Sequence, residues 1–271
     1  MNYKEDIKAV AFDYDGTLID FDYQASELTK TALKRLCESE YKVALVSGRP
    51  CFLALKAFKE AFGDLKLDYI FGCNGSEVMD CKSGETKILY PLKAEEVQDI
   101  ARFFHEPYLY MGIYEGETFL VDKIPEDPEI IEWMNARWLT PVYHDHSKNE
   151  KPRSKVIILN KKKDREKEQE YLKTIDLSAY SSFYSSPYCF EIAPKGVSKA
   201  SSCEYLAKLL NCSMEQILSF GDNDNDMDML KATTGVIMDN AREDLKAQIP
   251  LHTGAVDKEG IFGFLSENHL I

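Results

Sequence analysis

Residues 9–18 read AVAFDYDGTL, an apolar run that ends in two aspartates separated by one residue. Because successive side chains of a strand alternate between its two sides, we expect Asp13 and Asp15 to point the same way. Parallel sheets bind ligands at the carboxyl ends of their strands, which is where this pair falls. Two close carboxylates shift each other's pKa values apart or require a cation between them, and both arrangements suit acid–base and covalent catalysis. A loop in which Asp13 begins an Asx turn is the structural alternative for this stretch taken alone.

The remaining chain alternates predicted strands with predicted helices on both sides of this motif. A run rich in β-branched residues occupies residues 42–46, and a third strand is predicted over 69–71. Apolar residues at helical spacing precede and follow the run at 42–46. The carboxyl-terminal third repeats the alternation, with helices predicted over 197–210 and 224–231 and strands over 217–220 and 235–238. This order predicts βαβ units in an α/β fold, with a Rossmann-like parallel sheet covered on both faces.

The middle of the chain follows a different pattern. Strands are predicted over 87–90, 108–114, 118–121 and 155–159, with helices over 94–105 and 162–173. Hairpins and two helices within an otherwise alternating chain indicate an inserted α+β domain. We therefore expect a core domain of residues 1–77 and 190–271, and an inserted domain of residues 78–189.

A second acidic motif follows the predicted strand 217–220. Residues 221–226 read GDNDND and offer the hard oxygen ligands that Mg²⁺ prefers. An EF-hand loop does not fit, because Met227 and Thr233 stand where that loop needs glycine and glutamate. Helix capping explains one or two of these acids but not all of them.

Two further stretches carry weaker signals. Residues 46–50 read VSGRP and place a hydroxyl and a glycine N–H at a strand-to-helix transition suited to phosphate oxygens, although a simple turn fits equally well. Residues 194–199 read PKGVSK and place Lys195 just before a predicted helix. A single lysine of this kind is uninformative by itself.

Taken in order, the four motifs resemble those of the haloacid dehalogenase (HAD) superfamily, and they are closest to its Cof-type hydrolases. Asn74-Gly75 and the MDNA stretch at residues 238–241 are similar to further features of that branch. The resemblance implies a HAD-like core fold. Ser47 lies 34 residues after Asp13 but 148 residues before Lys195, so the insertion follows the second motif, which implies a cap domain of the C2B type.

The resemblance also implies a phosphoric monoester hydrolase. This would be a Mg²⁺-dependent phosphatase acting on a small phosphorylated metabolite, with a sugar phosphate as the leading candidate. Asp13 is implied as the nucleophile that forms an aspartyl phosphate, and Asp15 as the general acid and base. The implied Mg²⁺ ligands are Asp13, the backbone carbonyl of Asp15, and Asp222. Asp226 is implied to orient Lys195 or a metal-bound water. The implied substrate- and phosphate-binding residues are Tyr14, Ser47, Gly48, Lys195 and Asn225.

Two other functions remain open at this point. A phosphomutase of the same superfamily would share the core and the cap type, and it would need a bisphosphorylated sugar activator. A non-catalytic phosphate-binding regulatory protein would keep the fold without the reaction. The second of these is disfavoured because the chain keeps the complete set of Asp13, Asp15, Lys195 and Asp222.

The composition restricts the partners and the compartment. With 33 basic and 46 acidic residues the formal charge is −13, which disfavours nucleic acid and anionic membrane surfaces as partners. No apolar stretch is long enough to cross a membrane or to act as a secretory signal, so we expect a cytoplasmic protein. We also expect a monomer or a weak homodimer. The seven cysteines contain no C-x-x-C pair, which indicates reduced thiols and neither disulfides nor a zinc site.

Overall fold

The structure, a computed structural model, describes residues 6–20, 22 and 24–271. These residues form two compact units. One comprises the described residues up to Lys87 together with Ser198–Ile271, and the other comprises Ile88–Val197.

The strands and helices are numbered here in chain order. The strands are β1 (Ala9–Phe12), β2 (Lys42–Val46), β3 (Tyr69–Gly72), β4 (Glu77–Asp80), β5 (Thr86–Ile88), β6 (Tyr110–Glu115), β7 (Thr118–Val121), β8 (Thr140–Tyr143), β9 (Val156–Leu159), β10 (Tyr180–Ser186), β11 (Cys189–Pro194), β12 (Ile217–Gly221), β13 (Thr234–Met238) and β14 (Leu251–Thr253). The helices are α1 (Glu27–Cys37), α2 (Cys51–Phe62), α3 (Ala94–Phe103), α4 (Pro128–Asn135), α5 (Arg165–Leu172), α6 (Lys199–Leu210), α7 (Met227–Ala232), α8 (Glu243–Lys246) and α9 (Gly260–Glu267).

An eight-stranded sheet organises the first unit, in the order β14-β13-β12-β1-β2-β3-β4-β5. The strands from β14 to β3 in this order pair in parallel, and β4 returns antiparallel to β3. All four residues of β1 are buried, because the strand has a neighbour on each side and helices over both faces. The carboxyl ends of β1, β2 and β12 therefore meet at one edge of the sheet.

The two faces of this sheet are covered by separate apolar clusters. Val236 and Met238 belong to the larger cluster, which includes residues of α1, α2 and α9. Ile237, which points the opposite way along β13, packs with residues of α7 and α8. This alternation confirms the predicted α/β class with a doubly covered parallel sheet.

The second unit is built on a six-stranded sheet in the order β10-β11-β9-β6-β7-β8. Its pairings are antiparallel except for β7 with β8. Apolar residues of α3 and α5 pack with inward-facing residues of β6, β9 and β11. This unit is therefore the α+β part of the chain.

The two units have different limits from those expected from the sequence. β4 pairs with β3, so residues 78–87 belong to the first unit. β11 pairs with β9 and β10, so residues 190–197 belong to the second. Strand pairing thus assigns β4 to the first unit and β11 to the second, and hydrophobic periodicity does not report such pairing.

Two other sequence-based expectations can be compared with the described residues. No helix in this part of the chain combines the length and the apolar character that crossing a membrane requires. The seven cysteines are all free thiols, as their spacing predicts.

Candidate active site

Asp13 lies at the carboxyl end of β1 in contact with a buried lysine. The Lys199 ammonium donates to Asp13 Oδ1 at 2.5 Å and to Asp226 Oδ1 at 2.6 Å. The side chains of Lys199, Asp13 and Asp226 are 1 %, 8 % and 0 % exposed. Because water is excluded, these ion pairs are screened far less than surface pairs.

Asp226 fixes the loop that follows β12. Its second oxygen, Oδ2, accepts hydrogen bonds from the backbone N–H groups of Asp222 and Asn223 at 3.0 and 2.9 Å. Residues 224–226 form a 3₁₀ turn that leads into α7, where the sequence predicted one continuous helix. Both carboxylate oxygens of Asp226 are thus bound by protein donors, which suits a role in positioning its neighbours.

Asp222 is oriented by neutral donors. The Thr17 hydroxyl donates to its Oδ1 at 3.0 Å, and the Asn240 amide lies 3.3 Å from its Oδ2. The backbone at Gly16 passes so close that a Cβ built there would lie 2.4 Å from Asp222 Oδ2. With a φ of +85° as well, this position requires glycine.

The burial of these groups perturbs their ionisation. Desolvation, and then the Asp226 charge, raise the pKa of Asp13 well above its usual value, although Lys199 acts against them. Desolvation and Asp226 likewise raise the pKa of Asp222 to about 6. Burial opposes the charge on Lys199, but Asp13 and Asp226 outweigh it and raise the pKa of the ammonium. The site therefore carries more negative charge than its lysine balances.

Asp15 is held by a bidentate ion pair. Arg49 donates from Nε to Asp15 Oδ2 at 3.1 Å and from Nη2 to Oδ1 at 2.6 Å. The guanidinium also lies over the Tyr14 ring, 5.3 Å from its centroid. The paired hydrogen bonds fix the plane of the Asp15 carboxylate.

The predicted phosphate-binding groups of the second motif lie at the end of β2. The Ser47 hydroxyl oxygen accepts from the Arg49 N–H at 3.1 Å, and the Asn74 N–H donates to the Ser47 carbonyl at 3.0 Å. The Asn225 amide lies 3.4 Å from the Asn74 side-chain oxygen. A Cβ built at Gly48 would lie 3.3 Å from that same oxygen. The structure thus brings Ser47, Gly48 and Asn225 together around Asn74.

The structure places two predicted residues differently. The Lys195 ammonium donates to the Ser178 carbonyl within the second unit at 2.6 Å, and it is Lys199 that contacts Asp13. The Tyr14 side chain is buried in the larger apolar cluster, where its hydroxyl donates to the Ala57 carbonyl at 2.7 Å. Because it is buried and bonded in this way, the Tyr14 side chain is unsuited to binding substrate.

The sequence carries only a weak signal for the role of Lys199. It is the first residue of α6, directly after the N-cap Ser198. Cations are unfavourable at a helix N-terminus because the backbone N–H groups there carry partial positive charge. A lysine buried in that position needs nearby carboxylates, but the sequence does not report that Lys199 is buried. Lys195 lacks this conflict because it precedes the helix.

The residues at this edge of the sheet fit a divalent cation. Asp13, Asp222 and Asp226 each offer an oxygen within 4.8 Å of the others. All three residues are buried, and the ammonium of Lys199 balances only one of the three charges when all are ionised. Hard carboxylate oxygens of this kind suit Mg²⁺ or Ca²⁺. Asp226 accepts three hydrogen bonds, one of them from the Lys199 cation, whereas Asp222 accepts two from neutral groups and Asp13 accepts one from Lys199, so Asp13 and Asp222 are the better ligands.

Comparison with known proteins agrees with this geometry. The haloacid dehalogenase-like hydrolase family matches residues 10–265, and the chain belongs to it. An HMP-PP phosphatase from Serratia proteamaculans (strain 568) is 26% identical over 249 residues, covering 90% of this chain and 88% of the relative.

Solved structures show the same fold. A haloacid dehalogenase-like hydrolase from Bacteroides thetaiotaomicron superposes with a TM-score of 0.82 at 24% identity, covering 96% of this chain and 99% of that one. A sugar phosphatase of HAD subclass IIB superposes with a TM-score of 0.77 at 23% identity, covering 97% and 100%. The expectations of a Cof-type HAD hydrolase and of a phosphatase are confirmed.

Proposed function

We propose that this phosphatase is Mg²⁺-dependent and hydrolyses a small phosphorylated metabolite, with sugar phosphates as the leading substrate class. The observation that carries the proposal is the buried Asp13 carboxylate, bound to Lys199 and within 4.8 Å of Asp222 and Asp226 ligand oxygens. A dianionic phosphate approaching these carboxylates would be repelled, so the reaction needs compensating positive charge. The solved sugar phosphatase of the same fold supports the substrate class.

The metal would be held by Asp13, by the backbone carbonyl of Asp15 and by Asp222. When bound, it would neutralise charge on the phosphoryl oxygens during transfer. Lys199 holds Asp13 in one orientation. Ser47, the Gly48 N–H and Asn225 would bind the remaining phosphoryl oxygens. Lys199 takes the place that the sequence assigned to Lys195.

The reaction would proceed in two displacements at phosphorus. The Asp13 carboxylate attacks phosphorus while the bond from phosphorus to the substrate oxygen breaks, and Asp15 gives its proton to that oxygen. The product is an aspartyl phosphate on Asp13. Asp15 then takes a proton from a water molecule whose oxygen attacks phosphorus, and the bond to Asp13 breaks.

Substitution of the two aspartates tests these roles. Asp13→Asn should abolish Mg²⁺-dependent hydrolysis of an aryl phosphate while the protein stays folded. Asp15→Asn should reduce hydrolysis of an alkyl phosphate more than that of an aryl phosphate, because the alkyl leaving group needs the proton. Full activity of Asp13→Asn would exclude the aspartyl phosphate, and equal losses on both substrates would exclude Asp15 as the acid.

The substrate class needs a separate experiment. A set of sugar phosphates, other phosphorylated metabolites and HMP-PP should be compared by kcat/KM with Mg²⁺ present. We expect the highest values among the sugar phosphates. A clear preference for HMP-PP would instead give this chain the substrate named for its Serratia relative.

A further inference from the structure

Asn240 lies in the turn after β13 and connects three separate parts of the first unit. Its amide nitrogen donates to the Gly16 carbonyl at 2.9 Å and lies 3.3 Å from Asp222 Oδ2. Its amide oxygen accepts from the Val256 N–H at 3.0 Å. Gly16 is 224 residues away in the chain, so this arrangement exists only in the folded protein.

These partners fix the orientation of the amide group. The Val256 N–H can only donate, so it faces the Asn240 oxygen, and the Gly16 carbonyl can only accept, so it faces the nitrogen. The nitrogen carries two hydrogens, one for the Gly16 carbonyl and one for Asp222. A flipped amide would set oxygen against oxygen on one side and N–H against N–H on the other. Asn240 is therefore a fixed donor beside Asp222.

The donors around Asp222 differ in charge from those around Asp13. Asp13 contacts the cationic Lys199, whereas Asp222 is bound by the neutral groups of Thr17 and Asn240. A neutral donor orients a carboxylate without cancelling its charge. Thr17 and Asn240 thus restrict the rotation of Asp222 on both oxygens without placing a positive charge beside it.

We propose that Asn240 is a positioning residue that orients Asp222 for divalent cation binding. It acts through Asp222 and touches neither the metal nor the substrate. Hydrogen bonds behind metal ligands typically contribute 10- to 100-fold to affinity. Since Asn240 shares this role with Thr17, the loss of Asn240 should weaken Mg²⁺ binding about tenfold. The inference rests on the proposed metal site at Asp13 and Asp222.

The test measures Mg²⁺ binding directly on the full chain. Isothermal titration calorimetry gives the Kd for Mg²⁺ of the wild type and of Asn240→Ala, and thermal unfolding in EDTA reports stability without metal. Thr253→Val is the matched control, because its hydroxyl donates to the Gly260 carbonyl at 2.6 Å in the neighbouring segment. Both variants should lower the EDTA melting temperature, but only Asn240→Ala should raise the Kd.

Each outcome bears on a different claim. A wild type that binds no Mg²⁺ would overturn the metal site together with this inference. A wild type that binds Mg²⁺ and an Asn240→Ala variant with a Kd within twofold would overturn the inference alone. If Asn240→Ala does not fold, Asn240→Ser is measured under the same criterion. In steady-state assays, the Mg²⁺ concentration for half-maximal rate should rise about tenfold while KM for an aryl phosphate stays unchanged.

Discussion

Replacing Lys199 with methionine removes the cation that two buried carboxylates share. The ammonium lies 2.5 Å from Asp13 Oδ1 and 2.6 Å from Asp226 Oδ1. At an effective dielectric constant of about 20, each pair is worth about 6–7 kcal/mol before desolvation. Desolvation cancels much of this attraction, and removing one partner of a buried pair costs about 3–5 kcal/mol. We expect Lys199→Met to lose that much unfolding free energy at pH 8.

The unfolding free energy lost by Lys199→Met should depend on pH, and the direction follows from the pKa of Asp13. Lys199 lowers the pKa of Asp13 against the effect of burial, so its removal raises the pKa of Asp13 further. A group with a raised pKa in the folded state binds protons more tightly there, so stability falls as the pH rises. The difference in unfolding free energy between the wild type and Lys199→Met should therefore be larger at pH 8 than at pH 5.

Urea unfolding at both pH values measures this loss of unfolding free energy. Hydrolysis of an aryl phosphate with Mg²⁺ present measures phosphatase activity. Activity should fall by on the order of 10²–10³-fold, because Asp13 loses the group that keeps it oriented and charged. Lys195→Met is the matched control, and as a surface substitution it should change stability by less than about 0.5 kcal/mol. The reasoning would be refuted if Lys195→Met lost activity while Lys199→Met kept it, or if the unfolding free energy lost by Lys199→Met did not change with pH.

Three further substitutions or conditions test neighbouring contacts. Gly16→Ala should lose roughly 1–2 kcal/mol of unfolding free energy from backbone strain, and its new methyl group clashes with Asp222, so Mg²⁺ binding measured by calorimetry should be abolished. Gly84 has a φ of +75° and open space around it. The control Gly84→Ala should therefore show the strain alone and leave Mg²⁺ binding unchanged. Since the pKa of Asp222 is raised to about 6, the Mg²⁺-induced rise in melting temperature should shrink as the pH falls from 7 to 5, and a constant rise would contradict that pKa. Tyr14→Phe removes the bond to the Ala57 carbonyl and should cost about 1 kcal/mol in urea unfolding, while an altered substrate KM would show that Tyr14 contacts substrate after all.

The local patterns of the sequence predicted much of the core. β2 was expected over residues 42–46 and lies at Lys42–Val46, and β1 ends directly before Asp13 as its motif required. These elements could be predicted because apolar periodicity and loop residues act over a few positions. β8 and β10 contain no fully buried residue, so they left no such pattern.

The position of the acidic motifs at one edge of the sheet also followed from the sequence. Parallel strands bring their carboxyl ends together whatever the intervening chain does. The closeness of Asp13 to Asp222 is thus a consequence of β1 and β12 being neighbours. The hydrogen bonds of Thr17 and Asn240 to Asp222 needed the folded chain, because neither residue forms a local motif with it.

The sequence by itself determined the alternating core, the strand that presents Asp13 and Asp15, and the family. Only the tertiary structure decided which lysine contacts Asp13 and that the Tyr14 side chain turns inward. Lys195 and Lys199 are four residues apart, so no periodicity separates their roles. Burial separates them, because an ammonium enclosed at a helix N-terminus is stable only beside carboxylates, and Asp13 lies 186 positions away in the chain.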